Sequence, residues 1–378
     1  MRIWIDGYEA NQKNRVGSGQ YAFEILRNLE KIDRANEYTI LLPHPPLDDL
    51  LKERDGWKYK VLKPSKLWTR IALPLALYLS KDRPDVMFSP THYIPRFSPV
   101  KRVGVIFDLS YLHFPEMFNG KDLWQLRNWS KFSIENANHI ITISNFSKKD
   151  IIREYAVDKD KITVAYPGFD NQLFHQNQKK QQMDKVLKKY GIKSDYFIFI
   201  GTIQPRKNLA RLIEAFSRVV SRDNDLKLVL VGKTKGEGRQ GWMFEEILEY
   251  PRKLSIEDKV IFTGFVPTKE LPPLLFGSLA FVLPSLWEGF GIPVLEAMAC
   301  GVPVLVSNTS SLPEVVGKAG LTFDPYSVDQ IEQALRTVMF DQRLRTKLIS
   351  AGPAQAKKFS WDKMAKTVLK VFEKVGKS

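Results

Sequence analysis

The chain has 378 residues, 44% hydrophobic and 26% charged, which is the make-up of an ordinary globular protein with material for two cores. A net charge of +15 suits phosphorylated, nucleic-acid or anionic membrane partners, and a solvated lysine-rich surface accounts for it equally well. The single cysteine, Cys300, excludes an intrachain disulfide, and without a Cys/His cluster no zinc centre is expected.

From the N-terminus the chain enters a strand at 2–5 with no basic, then apolar leader before it, so a secretory signal is not expected. Further strands are expected at 38–42, 85–88, 103–107 and 139–143, with helices at 20–32, 66–80 and 121–137. The longest apolar run, 71–79, is broken by Pro74 and is far too short to span a bilayer. A cytoplasmic chain is expected, in reach of the inner face of the plasma membrane. Between Asn171 and Lys189 the sequence turns polar, which sets the boundary of a first domain at 1–172. The strand–helix alternation restarts at 196–200 and continues through 227–231, 260–263, 280–283 and 302–306, a second domain of 173–360. Such alternation predicts two doubly wound parallel sheets, α/β in class, with ligands outside the carboxyl ends of the strands in a cleft between the domains. A last helix, 361–378, has lysines 363, 366, 370, 374 and 377 on one face, suited to exposure or to anionic lipid.

The densest chemical signal lies in the segment 285–304. Glu288 and Glu296 flank Gly289-Phe290-Gly291, with seven residues between them, after an apolar strand and at the start of a helix. Backbone N–H groups of Phe290, Gly291 and Ile292 at a helix N-terminus suit a diphosphate. A carboxylate one turn inside suits the paired hydroxyls of a ribose, and Glu288 stands where a sugar would extend. After the strand at 196–200 comes Gly201-Thr202-Ile203-Gln204-Pro205-Arg206-Lys207-Asn208. Asn208 reads as a helix N-cap, which puts Arg206 and Lys207 at a strand end, where two cations neutralise a leaving diphosphate.

Weaker signals fill in the picture. Gly17-Ser18-Gly19 follows the first strand and offers a second backbone contact to phosphate. His92, Phe107 and Asp108 lie at strand ends on the possible sugar or acceptor side, with His113 nearby. Phe265 and Val266, after Gly264, are placed to meet a nucleotide base. Asp223-Asn224-Asp225 imitates a metal-binding aspartate pair but sits in a polar loop and reads as a turn. No metal ligand set is assigned.

The Glu-x7-Glu segment, Arg206-Lys207-Asn208, Gly264-Phe265-Val266, Asp108-Leu109-Ser110, Thr142 to Ser147 and Phe359-Ser360-Trp361 together resemble the retaining glycosyltransferases of family 4, the glycosyl transferases group 1. The resemblance covers nearly the whole chain. It implies the GT-B architecture, two Rossmann-like domains facing across a cleft with a C-terminal helix crossing back to the first. It also implies metal-independent transfer with retention of configuration, and no cofactor beyond a nucleotide-sugar donor. GDP-mannose comes first and UDP-glucose second, with a glycan or lipid-linked glycan as acceptor and no nucleic acid as partner. Under it, Arg206, Lys207 and Glu288 are the catalytic group. Gly17, Gly19, Thr202, Phe265, Val266, Phe290, Gly291, Ile292 and Glu296 hold the donor. Phe107 departs from the pattern, since many relatives carry histidine before that aspartate. Two other readings remain open on the residues alone: a sugar-nucleotide 2-epimerase of the same architecture, and a basic glycan-, lipid- or RNA-binding module without enzymatic activity.

Overall fold

The computed structural model describes residues 1–15, 17–220, 225–233 and 245–377. The chain divides into two compact units, Met1–Gly168 with the segment from Ser360 on, and Phe169–Phe359. The break after Gly168 falls four residues ahead of the boundary expected from the polar stretch. Phe169 and Phe174 are both buried, so the start of that stretch is anchored rather than free. Gly168 is constrained as well. A Cβ there would stand 2.1 Å from the Trp361 nitrogen, so only glycine lets the two backbones pass.

Unit 1 is a seven-stranded parallel sheet: β1 (Arg2–Asp6), β2 (Glu37–Leu42), β3 (Trp57–Val61), β4 (Val86–Ser89), β5 (Lys101–Ile106), β6 (His139–Thr142) and β7 (Ile162–Val164). The order is β3-β2-β1-β4-β5-β6-β7. Unit 2 is a six-stranded parallel sheet: β8 (Tyr196–Ile200), β9 (Lys227–Val231), β10 (Val260–Gly264), β11 (Ala280–Leu283), β12 (Val304–Ser307) and β13 (Gly320–Phe323). Its order, β10-β9-β8-β11-β12-β13, reverses direction between β8 and β11. That reversal leaves the loops after β8 and β11 diverging to opposite faces, which opens a crevice at their carboxyl ends. The central strands β4, β6, β8, β11 and β12 are buried throughout and read in sequence as short, mainly apolar runs. Three strands were not expected. β3 and β13 are edge strands with exposed positions and mixed sequences, and β7 is three residues long.

The helix expected at 66–80 is a π-helical turn, Trp68–Ala72, continuing into α-helix Leu73–Leu79. The Leu73 amide donates to the Trp68 carbonyl, five residues back, just ahead of Pro74, which has no amide to give. The helix Trp361–Lys377 belongs to unit 1. It buries Trp361, Met364, Ala365, Val368, Val371, Phe372 and Val375. Its Trp361 ring meets Tyr21 of the helix Ser18–Ile32 at 6.1 Å, and Phe372 meets Phe88 of β4 at 5.1 Å. Lysines 363, 366, 370, 374 and 377 are exposed, as their spacing predicts. No helix among the described residues is long and apolar enough to cross a membrane.

Candidate active site

At the β8/β11 switch point of unit 2, two loops bring two cations and a carboxylate together. After β8 the chain makes a short 3-10 turn, Pro205–Lys207, and ends it with Asn208 in the left-handed region (φ 58°). Asn208 does not cap the following helix, Leu209–Val219, with its side chain, contrary to the expectation. Its amide donates instead to the carbonyls of Pro284 (3.0 Å) and Pro325 (2.7 Å). Asn208 is therefore a buried tie between the β8 loop, the β11 loop and the segment after β13. The tie continues in the backbone, where the Leu286 amide donates to the Arg206 carbonyl at 2.9 Å. The two loops are thus clamped together before any side-chain charge is considered.

Within that clamp the Lys207 ammonium donates to Glu288 Oε1, and Ser285 Oγ donates to the same oxygen at 2.6 Å. Arg206 Nη1 lies 3.7 Å from Glu288 Oε2 and also donates to the Trp287 carbonyl. Burial alone would raise the Glu288 carboxyl. The charges of Lys207 and Arg206, with the hydrogen bonds from Lys207 and Ser285, outweigh it and hold the group below its ordinary value. Glu288 is accordingly an ionised, 8% exposed carboxylate facing two cations. Its own amide donates to Ser310 Oγ, and Ser311 Oγ donates to its carbonyl at 2.9 Å. Two cations against one carboxylate leave one net positive charge at a strand terminus, which suits an anion of the diphosphate type. Ser285, three residues before the glutamate, was not singled out from sequence, although a hydroxyl at a strand's carboxyl end beside a charged loop was there to be read.

The second carboxylate stands beyond the glycine turn. Gly291 has φ 105°, and a Cβ there would press on Leu312 at 3.0 Å, so the turn requires glycine. The helix Ile292–Ala299 follows. The amides of its first residues have no carbonyl of their own helix to bond, as at any helix N-terminus. Phe290 contributes backbone only, because its ring is buried edge-on against Phe359 at 5.5 Å. Glu296 is half-buried, and among the described residues no side chain hydrogen-bonds its carboxylate. Burial, and then the nearby Asp170 carboxylate, push it up to about 8. Sequence reasoning missed Asp170, which lies in the polar segment after the unit boundary with nothing local to mark it. Cys300, at the end of the same helix, is buried and pushed up to about 12 by burial and by Glu296, as befits a packing residue.

The remaining unit 2 candidates are spread along neighbouring strand ends. Thr202 is half-buried just after β8. Gly232, unforeseen, closes β9 so tightly that a Cβ would sit 2.0 Å from the Gly201 carbonyl oxygen. After β10, Phe265 is 64% exposed, with the Lys233 ammonium 6.0 Å from its ring, whereas Val266 is 5% exposed and packs inward. Of that pair only Phe265 presents a face to a base. In the Asp223-Asn224-Asp225 stretch, Asp223 and Asn224 lie outside the described residues, and Asp225 pairs with Lys227 at 2.8 Å.

In unit 1 the candidates gather at the carboxyl ends of β1, β4 and β5. Gly17, with φ 53°, precedes the helix Ser18–Ile32, and Gly19 is buried where a Cβ would meet the Glu9 carbonyl at 3.1 Å. Tyr21 on that helix meets the Phe107 ring edge-on at 5.0 Å, and Phe107 stacks on His92 at 5.2 Å. His92 Nε2 accepts from the Phe107 amide at 3.0 Å, and burial holds the imidazole down at about 4, against a smaller upward pull from Asp108. His92 is a neutral ring with one nitrogen committed to backbone. His113 is committed too, 3.1 Å from both oxygens of Asp150. Asp108 is half-buried and accepts from the Ser110 amide at 2.8 Å. His113, Asp150 and Glu154 lie close enough to hold a cation, but the Arg153 guanidinium already sits on Asp150. A further carboxyl, Asp6 at the end of β1, is fully buried and pushed up to about 7 by burial, against hydrogen bonds from the Tyr8 amide and Trp68 Nε1.

A parallel sheet with an anion-competent loop pair at its switch point defines a doubly wound α/β unit, and the chain carries a second sheet of the same type. The sequence profile of the Glycosyl transferases group 1 matches residues 170–355, and that of Glycosyltransferase Family 4 matches residues 16–173. The O-antigen chain mannosyltransferase B of Escherichia coli is 33% identical over 285 residues, 75% of this chain and 72% of that protein. The serotype-specific mannosyltransferase WbdA of the same species is 29% identical over 280 residues, and there the match spans 34% of that longer protein. Among solved structures, Anabaena Alr3699/HepE in complex with UDP and glucose superposes with a TM-score of 0.76 at 20% identity, covering 98% of this chain and 99% of that one. The chain belongs to the family 4 glycosyltransferases and has the two Rossmann-like units of the GT-B fold. It is a glycosyltransferase.

Proposed function

We propose that the protein is a retaining, metal-independent hexosyltransferase that moves mannose from GDP-mannose to a growing glycan or lipid-linked glycan in polysaccharide synthesis. The observation that carries the proposal is the Arg206–Lys207–Glu288 constellation at the β8/β11 switch point, with Glu296 one turn into the adjoining helix. In the reaction, the bond from the sugar's anomeric carbon to the β-phosphate oxygen breaks and the acceptor oxygen bonds to that carbon. The acceptor hydroxyl proton passes to the departing diphosphate. Negative charge grows on the leaving oxygen, and Arg206 and Lys207 stabilise it where a divalent cation would otherwise be needed. Glu288 holds both cations in place before substrate arrives and takes a sugar hydroxyl when the diphosphate draws them away. Glu296 accepts from the ribose hydroxyls, and Phe265 stacks on the base. The similarity to mannosyltransferases at 29–33% identity supports mannose. The UDP complex of Alr3699/HepE keeps UDP-glucose as the second donor to try.

The test is to incubate the full chain with GDP-mannose or UDP-glucose and mannose oligosaccharides in EDTA, and read the new linkage by NMR. A product with the donor's anomeric configuration is expected. Inversion, a strict requirement for added metal, or epimerised donor without any acceptor would each overturn the reading.

A further inference from the structure

We propose that the outer face of the segment from Leu67 to Leu79 in unit 1 docks onto an anionic lipid bilayer, an inference that does not depend on the donor assignment. The inner side of this segment, Trp68, Ala72, Leu73 and Leu77, packs with Trp4, Leu41, Leu62 and Met87. Its outer side remains apolar instead of turning polar. Leu67, Ile71, Leu75, Tyr78 and Leu79 are exposed, Leu75 by 47% and Leu79 by 77%. Their spacing puts them on one stripe of a helix. Phe97, 61% exposed, joins them, because the Arg96 amide beside it donates to the Thr69 carbonyl at 2.7 Å.

The charge around this stripe selects the occupant. From Gly56 to Lys81 the chain carries Lys58, Lys60, Lys63, Lys66, Arg70 and Lys81 and no aspartate or glutamate. All six cations are exposed, and Lys60 reaches over the Trp4 ring at 5.2 Å, which brings edge strand β3 to the same core. The nearest following acid, Asp82, pairs with Arg2 at 3.5 Å. Apolar side chains ringed by cations suit acyl chains below anionic headgroups. A second copy of this chain would bring cations against cations, and a nucleic acid would leave the leucines wet. The exposed lysines of the helix Trp361–Lys377 are a poorer docking face, since no large apolar residue of that helix is exposed.

The face also leads to the chemistry of unit 1. Arg70 lies 4.5 Å over the Trp129 ring, Trp129 meets Tyr93 edge-on at 5.4 Å, and Tyr93 meets His92 at 6.3 Å. His92 stacks on Phe107, next to Asp108. These packed rings connect the face to the carboxyl end of β5.

Co-sedimentation of the full chain with phosphatidylcholine vesicles, with and without about a third phosphatidylglycerol, tests the proposal. Binding is expected only to the anionic vesicles at low salt. Leu75→Gln/Leu79→Gln and Lys63→Gln/Lys66→Gln should each weaken it about tenfold, with melting temperature and nucleotide-sugar binding unchanged. Lys366→Gln/Lys370→Gln should stay close to wild type. The idea is overturned if the wild type ignores anionic vesicles, if the leucine pair binds as wild type does, or if the control pair loses as much. It is equally overturned if the leucine pair instead dissolves a dimer seen by size exclusion.

Discussion

Replacing Lys207 by methionine separates the structural from the chemical role of the cation pair. In the folded chain Glu288 is 8% exposed and loses one of its two cations, keeping Arg206 at 3.7 Å and the Ser285 hydroxyl at 2.6 Å. Removing one partner of a buried pair costs about 3–5 kcal/mol when nothing else compensates. The remaining Arg206 supplies roughly 4 kcal/mol of gross attraction at that distance in a medium of intermediate polarity. The net loss should therefore fall below that range, at about 1–3 kcal/mol, or a drop in melting temperature of roughly 2–12 °C for a unit of this size. Adding Glu288→Gln removes the uncompensated carboxylate, and the double variant should regain most of that stability. Its turnover of the donor should not return, staying at least tenfold down and nearer a hundredfold, because a point charge beside the leaving diphosphate is still missing. Thermal melts and initial rates on the wild type, both single variants and the double variant complete the cycle. Wild-type turnover in Lys207→Met/Glu288→Gln would refute the reasoning, since the pair would then be only a structural salt bridge.

Other consequences follow from buried carboxyls and close backbone contacts. Glu296 titrates near 8 in the free protein, and ribose hydroxyls favour its ionised form, so nucleotide binding below pH 8 should release a proton and tighten as pH rises towards 8. Calorimetry in buffers of different ionisation heat reads this directly, and a buffer-independent heat would contradict it. Asp6 has a folded value raised from 3.8 to about 7, so the stability it contributes is full below about 4 and is lost as pH rises through about 7. Asp6→Asn should flatten that slope and leave the variant more stable than wild type at pH 8; an unchanged slope in denaturant titrations would count against a buried neutral Asp6. Gly232→Ala should cost several kcal/mol or prevent folding, since its methyl would stand 2.0 Å from the Gly201 oxygen, and a melting temperature within error of wild type would be the contrary result. Phe372→Ala opens a cavity between the last helix and β4 and should cost about 3–5 kcal/mol in chemical denaturation, with a loss under 1 kcal/mol speaking against that packing.

The parallel-sheet class was legible because the central strands are buried on both faces and so print as short apolar runs separated by helices. The edge strands β3 and β13 were not, because strands such as Trp-Lys-Tyr-Lys-Val keep half their side chains in water and lose that signature. The unit boundary was read slightly late because composition weighs a polar run and cannot see that Phe169 and Phe174 are tucked in at its start. At the site, Arg206, Lys207 and Glu288 were picked one by one at strand ends, and the switch of strand order brings them together. What escaped were long-range partners. Asn208 resembled a cap but ties three loops together through its amide, and Asp170 raises Glu296 from a distant part of the chain. Neither has a local pattern. The exposed leucines of 67–79 were equally invisible, since an apolar residue looks the same in sequence whether it faces a core or water.

The central claim is that the β8/β11 switch point receives a nucleotide-diphosphate sugar. Isothermal titration of the full chain with GDP-mannose and UDP-glucose in EDTA, repeated on Arg206→Ala and Glu296→Ala, tests it most directly. The account predicts saturable binding of one of these donors, weakened at least tenfold in each variant while the fold persists by circular dichroism. No heat with either donor, or equal affinity in wild type and both variants, would contradict it.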